Sequence, residues 1–108
     1  MQKLKPATLN LKSSRKFKRL LGGRVKTRNL RCGLVTLKPG ESVGEHSTDN
    51  KEEVLIILQG RARVSYAKHK FFKLKEHSLV YFSPRTAHNV ENIGTEKLKY
   101  LYLTSAVT

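Results

Sequence analysis

From Arg31 onward the chain repeats one pattern: short runs of Val, Ile, Leu, Tyr and Phe, separated by turn-forming pairs. The runs fall at residues 30–37, 42–46, 53–58, 62–66, 69–74, 78–82, 88–92 and 98–103. Between them stand Pro39-Gly40, Asp49-Asn50, Gln59-Gly60, Ser83-Pro84 and Ile93-Gly94, all with the backbone chemistry of turns. Strands at this spacing make sandwiches or barrels. No apolar period of 3.6 residues is sustained across the region, so helices are not expected there. The expected fold class is all-β.

One run is uninterrupted. Val54, Leu55, Ile56, Ile57 and Leu58 read as a strand buried on both faces, one toward a barrel interior and the other toward a second layer or a partner subunit. The simplest partner is a second copy in a two-fold homodimer. A short helical segment, under three turns long, is expected near the start: Ser14 can cap it, Phe17, Leu20 and Leu21 fall on one face, and Gly22-Gly23 would stop it. So short a segment depends on packing against the rest of the fold.

Charge divides the chain. Of 22 basic residues, eleven lie before Leu34, at Lys3, Lys5, Lys12, Arg15, Lys16, Lys18, Arg19, Arg24, Lys26, Arg28 and Arg31, and none of the eight acids does. Most of the net charge of +14 therefore belongs to the leading third. Residues 1–27 are read as a basic N-terminal arm, a short helix or strand docking on the barrel, and residues 28–108 as the folded domain. Such an arm would attract a polyanion such as nucleic acid, an anionic surface or an acidic small molecule. At 108 residues the chain holds one core. Its single cysteine, Cys32, excludes an internal disulfide and reads as a small buried hydrophobe. No stretch approaches the ~20 apolar residues of a membrane span, and no apolar segment follows Lys3 and Lys5 as in a secretory signal. The expected location is cytoplasmic.

Four histidines carry the chemistry. His69, in Lys68-His69-Lys70, and His77, in Glu76-His77-Ser78, read as exposed turn residues. His46 and His88 instead sit at strand ends, with Glu53 following His46 and Asn92 following His88. The series Gly40, His46, Glu53, Gly60 resembles the first motif of the cupin superfamily, with Thr48 where that motif has its second histidine. His88 and Asn92 resemble the closing pair of the second motif, whose glycine, proline and glycine places are taken by His77, Ser83 and Arg85. The resemblance covers about residues 30–105 and is to small single-domain cupins. It implies a double-stranded β-helix, a jelly-roll barrel whose motif residues point inward, which agrees with the strand rhythm.

Carried over residue by residue, the resemblance implies one divalent metal ion on His46, Glu53 and His88. Thr48 would serve as a weak oxygen ligand or as partner of a bound water, and Asn92 would support the site from behind or serve the structure. Two imidazoles and one carboxylate suit Fe, Mn, Ni, Co or Zn and leave coordination positions open. Glu52 would face away from Glu53 by strand alternation. The same alternation turns Leu55 and Ile57 inward with Glu53, and Val90 and Asn92 inward with His88. Tyr81 or Phe82, Tyr66, Tyr100 or Tyr102 and Arg61 or Arg63 are the candidate walls of a small-molecule pocket. The function expected is metal-dependent binding of, or action on, a small polar or anionic molecule, of sugar or keto-acid isomerase or dioxygenase type. The alternatives are a non-enzymatic ligand-binding or sensor module, and polyanion binding through the arm.

Overall fold

The computed structural model of the chain describes residues 4–107; the arm base Lys3 and the terminal Thr108 lie outside them. Nine strands follow in order: β1 (Phe17–Leu21), β2 (Leu30–Leu37), β3 (His46–Ser47), β4 (Lys51–Gln59), β5 (Ala62–Tyr66), β6 (Lys70–Leu74), β7 (Leu79–Phe82), β8 (Ala87–Asn92) and β9 (Leu98–Ala106). No helix occurs among the described residues. A five-stranded sheet runs β1-β2-β9-β4-β7 and a four-stranded sheet runs β3-β8-β5-β6. All pairings are antiparallel.

The inner faces of the two sheets meet in the main core. Val35 and Leu37 of β2, Leu55 and Ile57 of β4, Ala62 and Val64 of β5, Val80 and Phe82 of β7, Val90 of β8, and Leu98 and Tyr100 of β9 are all buried there. Period-two alternation explains the selection, since every second residue of each strand is inward. Leu55 and Ile57 are inward as expected. Val54, Ile56 and Leu58 are half-buried on the opposite face. There a smaller cluster forms around Leu20, Cys32 and Leu34, with Leu21, Leu58, Leu101 and Leu103 packed against it. Cys32 is buried and free, and burial pushes its thiol up in pKa, away from reactivity.

Two expectations about elements are corrected. Residues 14–21 form no helical turn: Phe17–Leu21 is an edge strand paired with β2, Phe17 opposite Val35 and Arg19 opposite Gly33. Fewer than three turns cannot offset helix nucleation, whereas the open edge of β2 supplies backbone partners. Alternation from Lys18, opposite Leu34, turns Leu20 into the small cluster, and a register shift between Arg19 and Leu21 brings Leu21 opposite Cys32 on the same face, while Phe17 stays 55% exposed on the other side. The expected strand at 42–46 is reduced to a bridge between Ser42 and Glu91 and the two residues of β3. Positive φ at Gly40 and Gly44 breaks the extended run, so this segment meets β8 only at separate hydrogen bonds, such as Gly40 N to Asn92 O and Val43 N to Val90 O.

Candidate metal centre

His46, Glu53 and His88 come from three strands and meet at one end of the barrel. His46 of β3 lies opposite His88 of β8 in register. Glu53 projects from β4 of the other sheet and reaches His88 across the interior, with Oε1 and Nε2 2.7 Å apart. The three residues offer ligand atoms all within 4.8 Å of one another. Glu53 and His88 are buried, and His46 is exposed at the mouth.

The imidazoles are oriented from behind. His88 Nδ1 lies 3.2 Å from the Thr86 carbonyl oxygen and His46 Nδ1 lies 3.0 Å from that of Gly44. A carbonyl only accepts, so each Nδ1 is the donor, which leaves the Nε2 of each ring free to serve as a ligand atom. Phe82 stacks on the His88 ring at 4.3 Å and the His46 ring tilts against it at 4.4 Å. Glu53 Oε1 and His88 Nε2, both buried, are without any other hydrogen-bond partner. A carboxylate oxygen and an imidazole nitrogen set this close at the floor of a cleft call for a cation shared between them. A proton could serve this one pair; a divalent ion serves His46 as well. The donor set therefore fits a borderline divalent metal.

Thr48 and Asn92 have other occupations. The Thr48 hydroxyl donates to the Ser83 carbonyl at 2.8 Å and accepts from the Thr86 amide at 2.9 Å. It ties the β3–β4 turn to the loop that delivers His88. Asn92 lies four residues along β8 from His88, about 13 Å at ~3.3 Å per residue. Its amide donates to the carbonyls of Leu37 and Glu96 and accepts from the Gly94 amide. Its contacts are structural, at the far end of the barrel from the ligand cluster.

A cleft of about 340 Å³ opens over the three residues. Tyr100 and Tyr102 line it, as does Leu55. Burial, with the charge of Glu53 adding to it, pushes the Tyr100 phenol well up in pKa, so it stays a neutral hydroxyl. Other expected walls are placed elsewhere. Phe82 lies behind His88, Tyr66 stacks on Phe72, and Tyr81 is exposed and donates to Glu52. Arg63 covers Phe71, and Arg61 lines a separate hollow with His77 and Glu76. Missed altogether were Arg19, Arg31 and Lys51, three bases in the same cleft wall. Parity with Val35 could have flagged Arg31; Arg19 is found only through the β1–β2 register.

Comparison with known proteins bears on the family and the fold. A family model described as Cupin domain matches residues 33–104. An uncharacterised protein of Methanocaldococcus jannaschii is 38% identical over 52% of this chain and 44% of its own length. A mannose-1-phosphate guanylyltransferase of Salmonella typhimurium is 32% identical over 70% of this chain and 15% of its own. The matched part is thus less than half the length of either curated relative. Among solved structures, an RmlC-like cupin family protein with a double-stranded β-helix fold, also from Methanocaldococcus jannaschii, superposes with a TM-score of 0.78 at 20% identity, over 94% of this chain and 91% of that one. The fold is a double-stranded β-helix.

Proposed function

The chain belongs to the cupin domain family, and from that premise we propose that it holds one divalent metal ion on His46, Glu53 and His88 and uses it to bind or transform a small polar or anionic molecule. The observation that carries this reading is the buried confrontation of Glu53 Oε1 with His88 Nε2, with His46 completing the set at the mouth. Once bound, such an ion polarises a carbonyl or hydroxyl oxygen of the ligand. The chain does the rest. The carbonyls of Thr86 and Gly44 hold both rings by Nδ1, which leaves each Nε2 free as a ligand atom. Phe82 and Leu55 keep water from the inner side, and the exposed His46 side admits the ligand.

Isomerisation of a sugar or keto acid and dioxygenation both fit this arrangement. The Salmonella relative is named for mannose 1-phosphate, an anionic sugar of the proposed ligand class. A non-enzymatic binding or sensor module is favoured by Thr48: its hydroxyl is engaged by backbone where the family motif has an imidazole, so the chain supplies fewer ligands to the ion. Turnover of a bound ligand separates the two readings.

Metal analysis of the purified chain tests the centre. One Fe, Mn, Co, Ni or Zn per chain is expected on titration, with affinity lowered at least about tenfold in His46→Ala, Glu53→Gln and His88→Ala. His46 is exposed, so its replacement leaves the fold intact and reads the ligand role directly. A wild-type chain that takes up none of these ions would falsify the proposal.

A homodimer belongs to the same reading. Its surface is the outer face of the five-stranded sheet, where Leu30, Leu79 and Tyr81 are 44%, 60% and 53% exposed.

A further inference from the structure

Arg19 and Arg31 stand in the wall of the metal cleft, on adjacent strands. Arg31 shares an inward parity with Gly33, and Arg19 lies opposite Gly33, so the two side chains rise from one patch of the β1–β2 ladder. Lys51 adds a third cation, and among the described residues the only acid in the cleft wall is Glu53, which is turned toward His88. Among the described residues no carboxylate is within ion-pair reach of either guanidinium.

The arginines are also held. A Cβ on Gly22 would come within 2.9 Å of Arg31 Cγ, and one on Gly23 within 3.0 Å of Arg19 Cδ. The aliphatic stems of both therefore run against the Gly22-Gly23 turn, and Gly22 has φ +93°, a conformation that disfavours other residues. A second hollow shares Arg31 and Lys51 with the cleft and adds Lys26 and Arg28, with no acid in its lining. This continues the positive field outward from the mouth.

We propose that Arg19 and Arg31 form an oxyanion subsite that grips a carboxylate or phosphate group of the ligand while its other end lies at His46, Glu53 and His88. The proposal rests on the reading of that cleft as the ligand site. Planar guanidinium forks bind such groups bidentately, and two unpaired forks beside a cluster of ligand atoms select a molecule with an anionic head and a metal-seeking oxygen. Charge in the leading third of the chain then acts through the cleft as well as at the surface.

Calorimetric titration of the full chain with inorganic phosphate and with malonate, each with and without added Mn, tests it. Wild type should bind at least one probe, and which one separates phosphate from carboxylate ligands. Arg19→Gln and Arg31→Gln should each weaken binding about tenfold or more, with Mn uptake unchanged. Arg19→Lys and Arg31→Lys, which keep charge but lose the fork, should still bind more weakly than wild type. Arg61→Gln, in the separate hollow, should bind as wild type. The subsite is overturned if wild type binds neither probe, if the arginine variants bind as wild type, or if Arg61→Gln loses as much as they do. Arginine-dependent binding in a chain that takes up no metal would uphold the subsite and reject the metal centre; metal uptake with arginine-independent anion binding would do the reverse.

Discussion

At the scale of single residues, Asn92 separates position in a motif from physical role. The pair His88 and Asn92 resembles the end of the second cupin motif, yet only His88 reaches the ligand cluster. Asn92 is 1% exposed and holds together the ends of β2, β8 and the turn into β9 through the carbonyls of Leu37 and Glu96 and the amide of Gly94. Asn92→Ala would strand these groups in a buried site. A loss of about 2–3 kcal/mol of unfolding free energy is expected, with metal affinity unchanged, checked by urea denaturation alongside metal titration. A fall in metal affinity with stability retained would return Asn92 to the metal site. His46, Glu53 and His88 could be singled out through the resemblance to the cupin motifs, and the fold brings their ligand atoms within 4.8 Å of one another. The occupation of Thr48 could not, because its partners at Ser83 and Thr86 lie 35 and 38 residues away in sequence.

Strands show the same division. β2, β5 and the interior strands were readable because their apolar residues alternate or run together, and burial permits little else. β1 was not. Phe17, Leu20 and Leu21 have the spacing of a helix face, but an unpaired β2 edge and a small apolar cluster decide the outcome. That strand covers Cys32 and Leu34 on the outer side and carries Arg19 into the cleft on the inner side. Leu20→Ala should therefore cost about 2 kcal/mol or more, read as a lower denaturant midpoint. Removing residues 1–15 should leave the midpoint in place, since Lys5, Lys12 and Arg15 are exposed and β1 is untouched. If the short truncation lowers the midpoint as much as Leu20→Ala does, β1 is not the anchoring element. A gel shift with RNA, present in the full chain at about 0.15 M salt and lost in the truncation, would assign polyanion binding to the exposed segment.

Across the whole molecule, the outer face of the five-stranded sheet is the feature that one chain leaves unfinished. Leu34, Leu101, Ile56 and Leu79 stand in one register row across β2, β9, β4 and β7, and Cys32, Leu103, Val54 and Tyr81 stand in the next. Along the first row burial fades from 0% exposed at Leu34, beside β1, to 60% at Leu79 on the far edge. These two rows carry no charge, in a chain whose net charge is +14. An uncharged apolar surface is self-complementary, as a two-fold interface requires. Sedimentation of the wild-type chain should accordingly show twice the 12.3 kDa of one chain. Leu79→Lys should shift it to the single-chain mass without unfolding, because that side chain is already the most exposed of the row. A wild-type chain that sediments at 12.3 kDa across micromolar concentrations, or a Leu79→Lys variant that stays paired, would rule out this face as the dimer contact.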